Sequence, residues 1–325
     1  MAQALRWGIL GTGRIAARFA QGLHACGLGM PVAAGSRDLA RAQAFTDKFG
    51  GKPLGSYEAV LADPQANAVY IALPHHLHAE WTARAADAGR HVLCEKPFAL
   101  NVLQAEKALA HVRQANVFCM EAFMYRAHPQ TVRLIQTIKR GSIGKPVAMH
   151  VEFGYAAPRD GGFRHDPALG GGALMDAGCY PVSLARLVAG SQPTKAVYFA
   201  DTQDGYDSSG AGAMEFPSGL RATFACSIHA RMANQAVIYG ESGRIVVESP
   251  WFCDGRLLLY AGDGQEPQSV GVPKVADLWG NQAILVAEYL EKRQCPAMTW
   301  NDTMGNLSVL DALRRQVGLR FAGEE

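Results

Sequence analysis

At 325 residues the chain exceeds what one hydrophobic core usually organises, which points to two domains. Apolar residues make up 49% and charged residues 18%, a balance that excludes disorder and fits a well-packed soluble protein. A net charge of +2 without like-charge runs argues against nucleic acid or an anionic membrane as partner, and no stretch approaches the ~20 apolar residues of a membrane span.

The run ALRWGIL reads as a strand feeding GTGRIAARFAQGL, where Ile15, Phe19 and Leu23 recur at the period of a buried helical stripe. This strand begins almost at Met1, so no signal peptide is expected. Seven cysteines without C-x-x-C spacing fit buried thiols in a reducing cytoplasm, with no disulfide and no structural zinc. PVAAGS is a second strand, and DLARAQAFTDKFG a helix capped by Asp38 and closed by Gly50. A short helix, SYEAVLAD, precedes the fully apolar strand AVYIALP and the helix HAEWTARAADAG. Next come strand HVLCEKP, a helix with Val102, Ala105, Leu109 and Val112 on one face, strand VFCMEAF, and a further helix after His128. Apolar strands alternating with amphipathic helices predict a parallel sheet covered on both faces, with ligands at the carboxyl ends of its strands. Past about residue 145, PVAMHVEFGY, TKAVYFA, GAGAMEF, LRATFACSIHA, NQAVIYG, GRIVVES and RLLLYAG are strands joined by Gly, Asp and Ser turns, and two closing helices follow. The expected fold class is α/β: an N-terminal Rossmann doubly wound parallel sheet over residues 1–122, then a C-terminal α+β domain over 123–325 with an open, mostly antiparallel sheet. Apolar residues on both alternating sets of strands such as AVIYG suggest that both faces of that sheet are covered, one by a second subunit.

Gly11, Gly13 and Ala16 form G-x-G-x-x-A at the first strand–helix junction. The first glycine permits the turn, the second admits a pyrophosphate, and the small third residue lets helix and strand pack. Gly11, Thr12, Gly13, Arg14 and Ile15 are therefore the expected phosphate loop. After the second strand stand Ser36 and Arg37, with Arg41 one helical turn on. Arginine there accommodates a 2′-phosphate, so NADP is expected ahead of NAD, Asp38 being better placed as a helix cap. Leu73, Pro74, His75 and His78 follow one parallel strand and Glu95 and Lys96 another, which puts them on the ligand edge; Arg126 joins them as a candidate cofactor contact. His75, His76, His78 and Glu80 also raise a metal site, but they fall at a strand–helix turn without further ligands, and none is expected.

In GGGALMDAGCYPV, Asp176 and Tyr180 share a face if the segment is helical, although Pro181 would kink that helix or mark its start. A phenol, a carboxylate and a lysine are the parts needed to move a proton while a hydride leaves carbon. A free phenol titrates near ~10, each unit is about 1.36 kcal/mol, and an ammonium at ~4 Å contributes on the order of 4 kcal/mol at an effective dielectric of about 20. Lys96 suffices to bring Tyr180 into a useful range. Candidate substrate contacts are Tyr125, Phe153, Asp176, Tyr180 and Trp279, with Arg164, His165 and Trp251 weighed against plain loop or core roles.

The pieces GILGTGRIA, HVLCEKP, EAFMYRAHP and GGGALMDAGCYPV resemble the Gfo/Idh/MocA oxidoreductases over nearly the whole chain. The second motif resembles G-x-x-x-D-x-G-x-[YH], carried by Gly172, Asp176, Gly178 and Tyr180; its tyrosine resembles the glucose–fructose oxidoreductase, NADP-xylose dehydrogenase and dimeric dihydrodiol dehydrogenase branch. The resemblance implies a dehydrogenase of a hydroxyl-bearing ring, an aldose or a trans-dihydrodiol. It further implies Lys96 and Tyr180 as the proton-handling pair, Asp176 on a substrate hydroxyl, and a homodimer or larger assembly through the open sheet. It extends also to NAD-dependent redox glycosidases and to non-catalytic cofactor-binding regulators; both Lys96 and Tyr180 being present speaks against the latter.

Overall fold

The computed structural model describes residues 5–158, 162–202, 204–262, 264, 266–321 and 324. Its first half alternates strand and helix in the order β1 (Trp7–Leu10), α1 (Arg14–Ala25), β2 (Ala33–Gly35), α2 (Leu39–Phe49), β3 (Lys52–Leu54), α3 (Tyr57–Ala62), β4 (Ala68–Ile71), α4 (His78–Asp87), β5 (His91–Glu95), α5 (Val102–Ala115) and β6 (Cys119–Ala122). These strands form a six-stranded sheet in the order β3-β2-β1-β4-β5-β6, every pair parallel. Every residue of β1 and β4 is buried, because helices cover both faces; hence runs without polar alternation. The order reverses between β1 and β4, which opens the ligand crevice at their carboxyl ends. Gly11, Leu73 and Lys96 follow β1, β4 and β5 at that edge. This is the doubly wound parallel sheet the sequence predicts.

The helix ends have local causes. The Asp38 side chain accepts the Ala40 and Arg41 N–H groups at the start of α2, and Gly50 ends it at φ 80°. Asn101 caps α5 through the Gln104 N–H. Phe19 of α1 stacks on Tyr70 of β4 at 4.0 Å and meets Trp7 edge-on at 5.1 Å, which seats α1 on the sheet.

The second half comprises α6 (Pro129–Lys139), β7 (Pro146–Gly154), α7 (Cys179–Ala189), β8 (Lys195–Asp201), β9 (Ser209–Glu215), β10 (Arg221–Ser227), β11 (Gln235–Gly240), β12 (Gly243–Glu248), β13 (Leu257–Tyr260), β14 (Gln268–Ser269), α8 (Leu278–Tyr289) and α9 (Trp300–Gln316). Its eight-stranded sheet runs β14-β13-β12-β11-β7-β10-β9-β8, antiparallel except where β7 meets β10. Met149, Val151, Phe224, Ile238 and Ile245 are buried on the inner face, against which α7 packs. Val197, Phe199 and Tyr239 on the opposite face are exposed, Phe199 by 75%. In AVIYG, Ile238 accordingly points inward and Tyr239 outward, onto the face that the chain itself leaves uncovered.

The chain divides into two units: Met1–Ala127 with Val275–Met304, and His128–Lys274 with Gly305–Glu325. Among the described residues no helix is long and apolar enough to cross a membrane.

The segment ahead of α7 answers the question Pro181 raises. Leu174–Gly178 is π-helical and runs directly into α7, of which Pro181 is the third residue. Proline cannot donate to the carbonyl of Ala177 four residues back, and its ring crowds that carbonyl. The wider π turn accommodates the mismatch, a feature frequent at functional sites.

Candidate functional site

In the first unit the glycine loop is built for a close approach. Gly11 has φ 93°, and a Cβ there would meet the Ala72 carbonyl oxygen at 2.5 Å, so only glycine makes this turn. Gly13 is different: a Cβ built on it meets nothing within 4 Å. No internal packing demands this glycine; the space before it is open. Gly13 is also the N-cap of α1, with no side-chain cap and no acidic residue in the first turn. The N–H groups of that turn have no intrahelical acceptors. A dinucleotide pyrophosphate fits this cradle, with Thr12, Arg14 and Ile15 around it.

At the end of β2, the Ser36 Oγ accepts the Asp38 N–H at 3.2 Å, and Asp38 is committed to capping α2. The Asp38 carboxylate, the one acidic candidate for a ribose hydroxyl at this strand end, is thus turned into the helix. Arg37 and Arg41 are exposed, Arg41 3.6 Å from Asp38.

The Glu95–Lys96–Pro97 turn is held from below. Tyr70 donates its hydroxyl to Glu95, the Lys96 N–H reaches the same carboxylate at 3.3 Å, and Phe98 N–H donates to Glu121 at 2.9 Å. His78 ties this turn to the end of β4: its Nδ1 lies 2.7 Å from the Pro97 carbonyl and its Nε2 2.7 Å from the Leu73 carbonyl. Burial, reinforced by the nearby Lys96 and His76 charges and opposed by the two carbonyls, pushes the ring down to about 4. Both ring nitrogens of His78 thus face backbone carbonyls, and it carries no side-chain cap role for α4. His75, 2% exposed, lies beside it with ring centroids 5.8 Å apart; Leu73 is buried and Pro74 half-buried.

Arg126 is likewise held by the protein itself. It is 4% exposed, donates from Nε to the Ala297 carbonyl at 2.9 Å and pairs through Nη2 with Asp302 at 2.9 Å. Burial tends to raise the Asp302 carboxyl, but the Arg126 charge and the Thr299 hydrogen bonds outweigh it and hold it low. Arg126 thus fastens the returning segment to the first unit. Tyr125 beside it is fully buried, edge-on to Phe123 at 6.0 Å. Trp279 sits on α8 with Arg18 of α1 over its ring at 5.7 Å, where α1 and α8 pack through Gly22 and Gly280. His128 caps α6 by accepting the Gln130 N–H at 3.1 Å.

The second unit gathers a different group. Tyr180, 5% exposed, meets Phe153 edge-on at 5.2 Å and Trp251 at 5.3 Å. Asp176, on the π-helical segment, is 4% exposed; Arg164 donates from Nε to it at 2.6 Å and to the Tyr155 hydroxyl at 2.7 Å, and Tyr155 donates to the same carboxylate. Burial works against the Arg164 charge, but Asp176 more than compensates and raises its pKa. Tyr155 and the Arg164 pairing are what sequence reasoning missed. Tyr155 stands two residues after Phe153, the spacing of one strand face, and that signal was available; the pairing joins residues twelve apart across an irregular loop. Among the described residues no three His, Cys, Asp or Glu side chains are grouped to hold a metal ion.

Two family models cover most of the chain: "Oxidoreductase family, NAD-binding Rossmann fold" matches residues 5–123, and the "GFO/IDH/MocA C-terminal domain" matches residues 131–246. The chain is 34% identical over 316 residues to a D-xylose 1-dehydrogenase (NADP(+)) of Haloferax volcanii, covering 95% of this chain and 96% of that protein. It is 29% identical over 333 residues to the trans-1,2-dihydrobenzene-1,2-diol dehydrogenase of Homo sapiens, covering 98% of each. In structure it is similar to KijD10, a 3-ketoreductase from Actinomadura kijaniata solved with NADP and TDP-benzene, with a TM-score of 0.87 at 29% identity, covering 98% and 99% of the two chains.

Proposed function

The chain belongs to the Gfo/Idh/MocA oxidoreductases and is an NAD(P)-dependent enzyme acting on CH–OH groups, and from that premise we propose an NADP-dependent dehydrogenase of aldose sugars or trans-dihydrodiols. Bound NADP, held by the glycine loop and the arginines after β2, would supply the acceptor for the hydride of the carbinol carbon. Tyr180 receives the hydroxyl proton as general base, with Lys96 as the second proton-handling residue that the family resemblance implies. In the reducing direction the same phenol returns the proton.

The observation that carries this reading is the setting of Tyr180, a buried phenol walled by Phe153 and Trp251 one turn beyond Asp176. Apolar walls suit the face of a ring, while polar groups at their edge suit its hydroxyls. Asp176 orients a substrate hydroxyl with its charge balanced by Arg164, which leaves the proton to Tyr180. The exposed arginines after β2 support NADP over NAD. The outward face bearing Val197, Phe199 and Tyr239 supports self-association through the open sheet.

Tyr180→Phe keeps the ring and removes the titrating oxygen. Its turnover on D-xylose with NADP, followed by nicotinamide absorbance, falls on the order of 100- to 10,000-fold while NADP affinity stays native. Near-native turnover would remove Tyr180 from the chemistry. Sugar release from an aryl glycoside without net change in nicotinamide absorbance would instead indicate a redox glycosidase.

A further inference from the structure

We propose that Asp207, on the turn between β8 and β9, is a positioning residue that sets the π-helical segment carrying Asp176 and, through it, the start of α7 at Tyr180. The inference rests on the reading that Tyr180 handles the proton. Nothing in the local sequence around Asp207 marks it, since it stands 31 residues beyond Asp176 in a turn of ordinary composition. In the fold it is 1% exposed and lies at the head of the segment.

Helix starts leave N–H groups without acceptors, and a buried start must find them elsewhere. Asp207 supplies two. Its Oδ2 accepts the Leu174 N–H at 2.6 Å, and its backbone carbonyl accepts the Ala173 N–H at 2.6 Å. The carboxylate is itself located by the Tyr198 hydroxyl at 2.7 Å, and Tyr198 lies 3.5 Å from the Cys226 thiol. One residue outside the segment thereby dictates where its first turn begins and in which direction it runs.

The glycine at the head of the motif has its explanation here. Gly172 has φ 117°, and a Cβ on it would overlap Asp207 Oδ1. Its carbonyl accepts the Asp176 N–H at 3.1 Å, so the placement passes directly to the residue that pairs with Arg164. Burial raises the Asp207 carboxyl to about 6 against the hydrogen bonds from Tyr198, Leu174 and Ala173. In its ionised form its bonds to the segment are charge-assisted.

The test compares Asp207→Ala with Asp207→Asn. Asparagine keeps the shape and an oxygen for the Leu174 N–H; alanine keeps neither. On D-xylose with NADP, Asp207→Ala is expected to lose on the order of 100-fold in kcat, the scale of a 1 Å misplacement, with NADP affinity unchanged. Asp207→Asn restores most of that loss. Independently of turnover, amide hydrogen exchange at Ala173 and Leu174 accelerates in the alanine variant and stays protected in the asparagine variant. If Asp207→Ala does not fold, Asp207→Ser, whose hydroxyl is too short to reach Leu174, takes its place. Native kcat and native protection in the alanine variant, or equal losses in both variants, would overturn the proposal. Tyr180→Phe assayed in parallel separates the two readings: an active Tyr180→Phe sinks the assignment of Tyr180, whereas an inactive one beside a native Asp207→Ala sinks only the role of Asp207.

Discussion

Gly11 and Gly13 stand two residues apart in one motif, yet alanine at each has opposite consequences. At Gly11 the backbone lies at φ 93°, where an L side chain costs roughly 1–3 kcal/mol of strain. The new Cβ would also lie 2.5 Å from the Ala72 carbonyl oxygen, and forcing that apart adds about 1–3 kcal/mol of overpacking. Gly11→Ala should therefore lose about 2–6 kcal/mol of folding stability before any cofactor is considered. At Gly13 the backbone is ordinary, φ −79°, and the Cβ meets nothing within 4 Å. A weaker N-cap and a stiffer unfolded chain, each worth a few tenths to about 1 kcal/mol, nearly cancel. The methyl group of Gly13→Ala instead enters the space assigned to the pyrophosphate. A clash of about 1–3 kcal/mol there weakens NADP on the order of 5- to 150-fold. Denaturant unfolding without cofactor measures the first quantity, and quenching of intrinsic fluorescence by NADP measures the second. Native NADP affinity in a stably folded Gly13→Ala would refute the placement of the phosphates on this loop.

On the proposed reading that Arg37 serves the 2′-phosphate, Arg37→Asp should weaken NADP by on the order of tenfold or more while NAD affinity holds or improves; equal losses for both cofactors would dismiss that role. His78 predicts a pH dependence of stability. The unfolded imidazole takes up its proton near 6.5 and the folded one near 4, so between those values the unfolded chain binds more protons and stability falls as pH falls. The difference amounts to about 3 kcal/mol, fully present above 6.5 and gone by about 4. His78→Gln, compared with the native chain by urea unfolding at a series of pH values, should lose that part of the slope; an unchanged slope would show that the ring does not titrate this way. If the chain self-associates through the open sheet as proposed, Phe199→Glu, which places a charge on that face, should lower the mass seen in light scattering without changing the circular dichroism of the fold; an unaltered mass would dismiss this face as an interface.

The parallel sheet was legible because its cause is local and repetitive. A strand covered on both faces has no reason to alternate, and the helices between such strands repeat at their own period, so β1 to β6 and their helices stand out in the one-dimensional pattern. The glycine loop is legible from its spacing at a strand–helix junction, although the atom that excludes a side chain at Gly11 is the Ala72 carbonyl oxygen on the neighbouring strand's end. The carboxyl ends of parallel strands mark the ligand edge whatever the substrate, which is why Lys96 drew attention. Residue identity alone does not show where the backbone makes use of a polar group. His78 suits a ligand edge by position, but folding left two buried carbonyls for its ring. Arg126 likewise suits a phosphate, yet meets Asp302 and the Ala297 carbonyl, more than 170 residues on.

What the amino-acid order determined by itself is therefore the alternation of the first half, the turn chemistry of its glycines and the edge on which chemistry takes place. Tertiary structure alone decided which side chains are free to act on that edge and which are consumed in holding it. Tyr155 and Arg164 reach Asp176, and Asp207 reaches Leu174, through loops with no period to read. The physical reason is that a buried donor or acceptor must be satisfied by whatever the fold brings near it, and sequence distance places no limit on that partner.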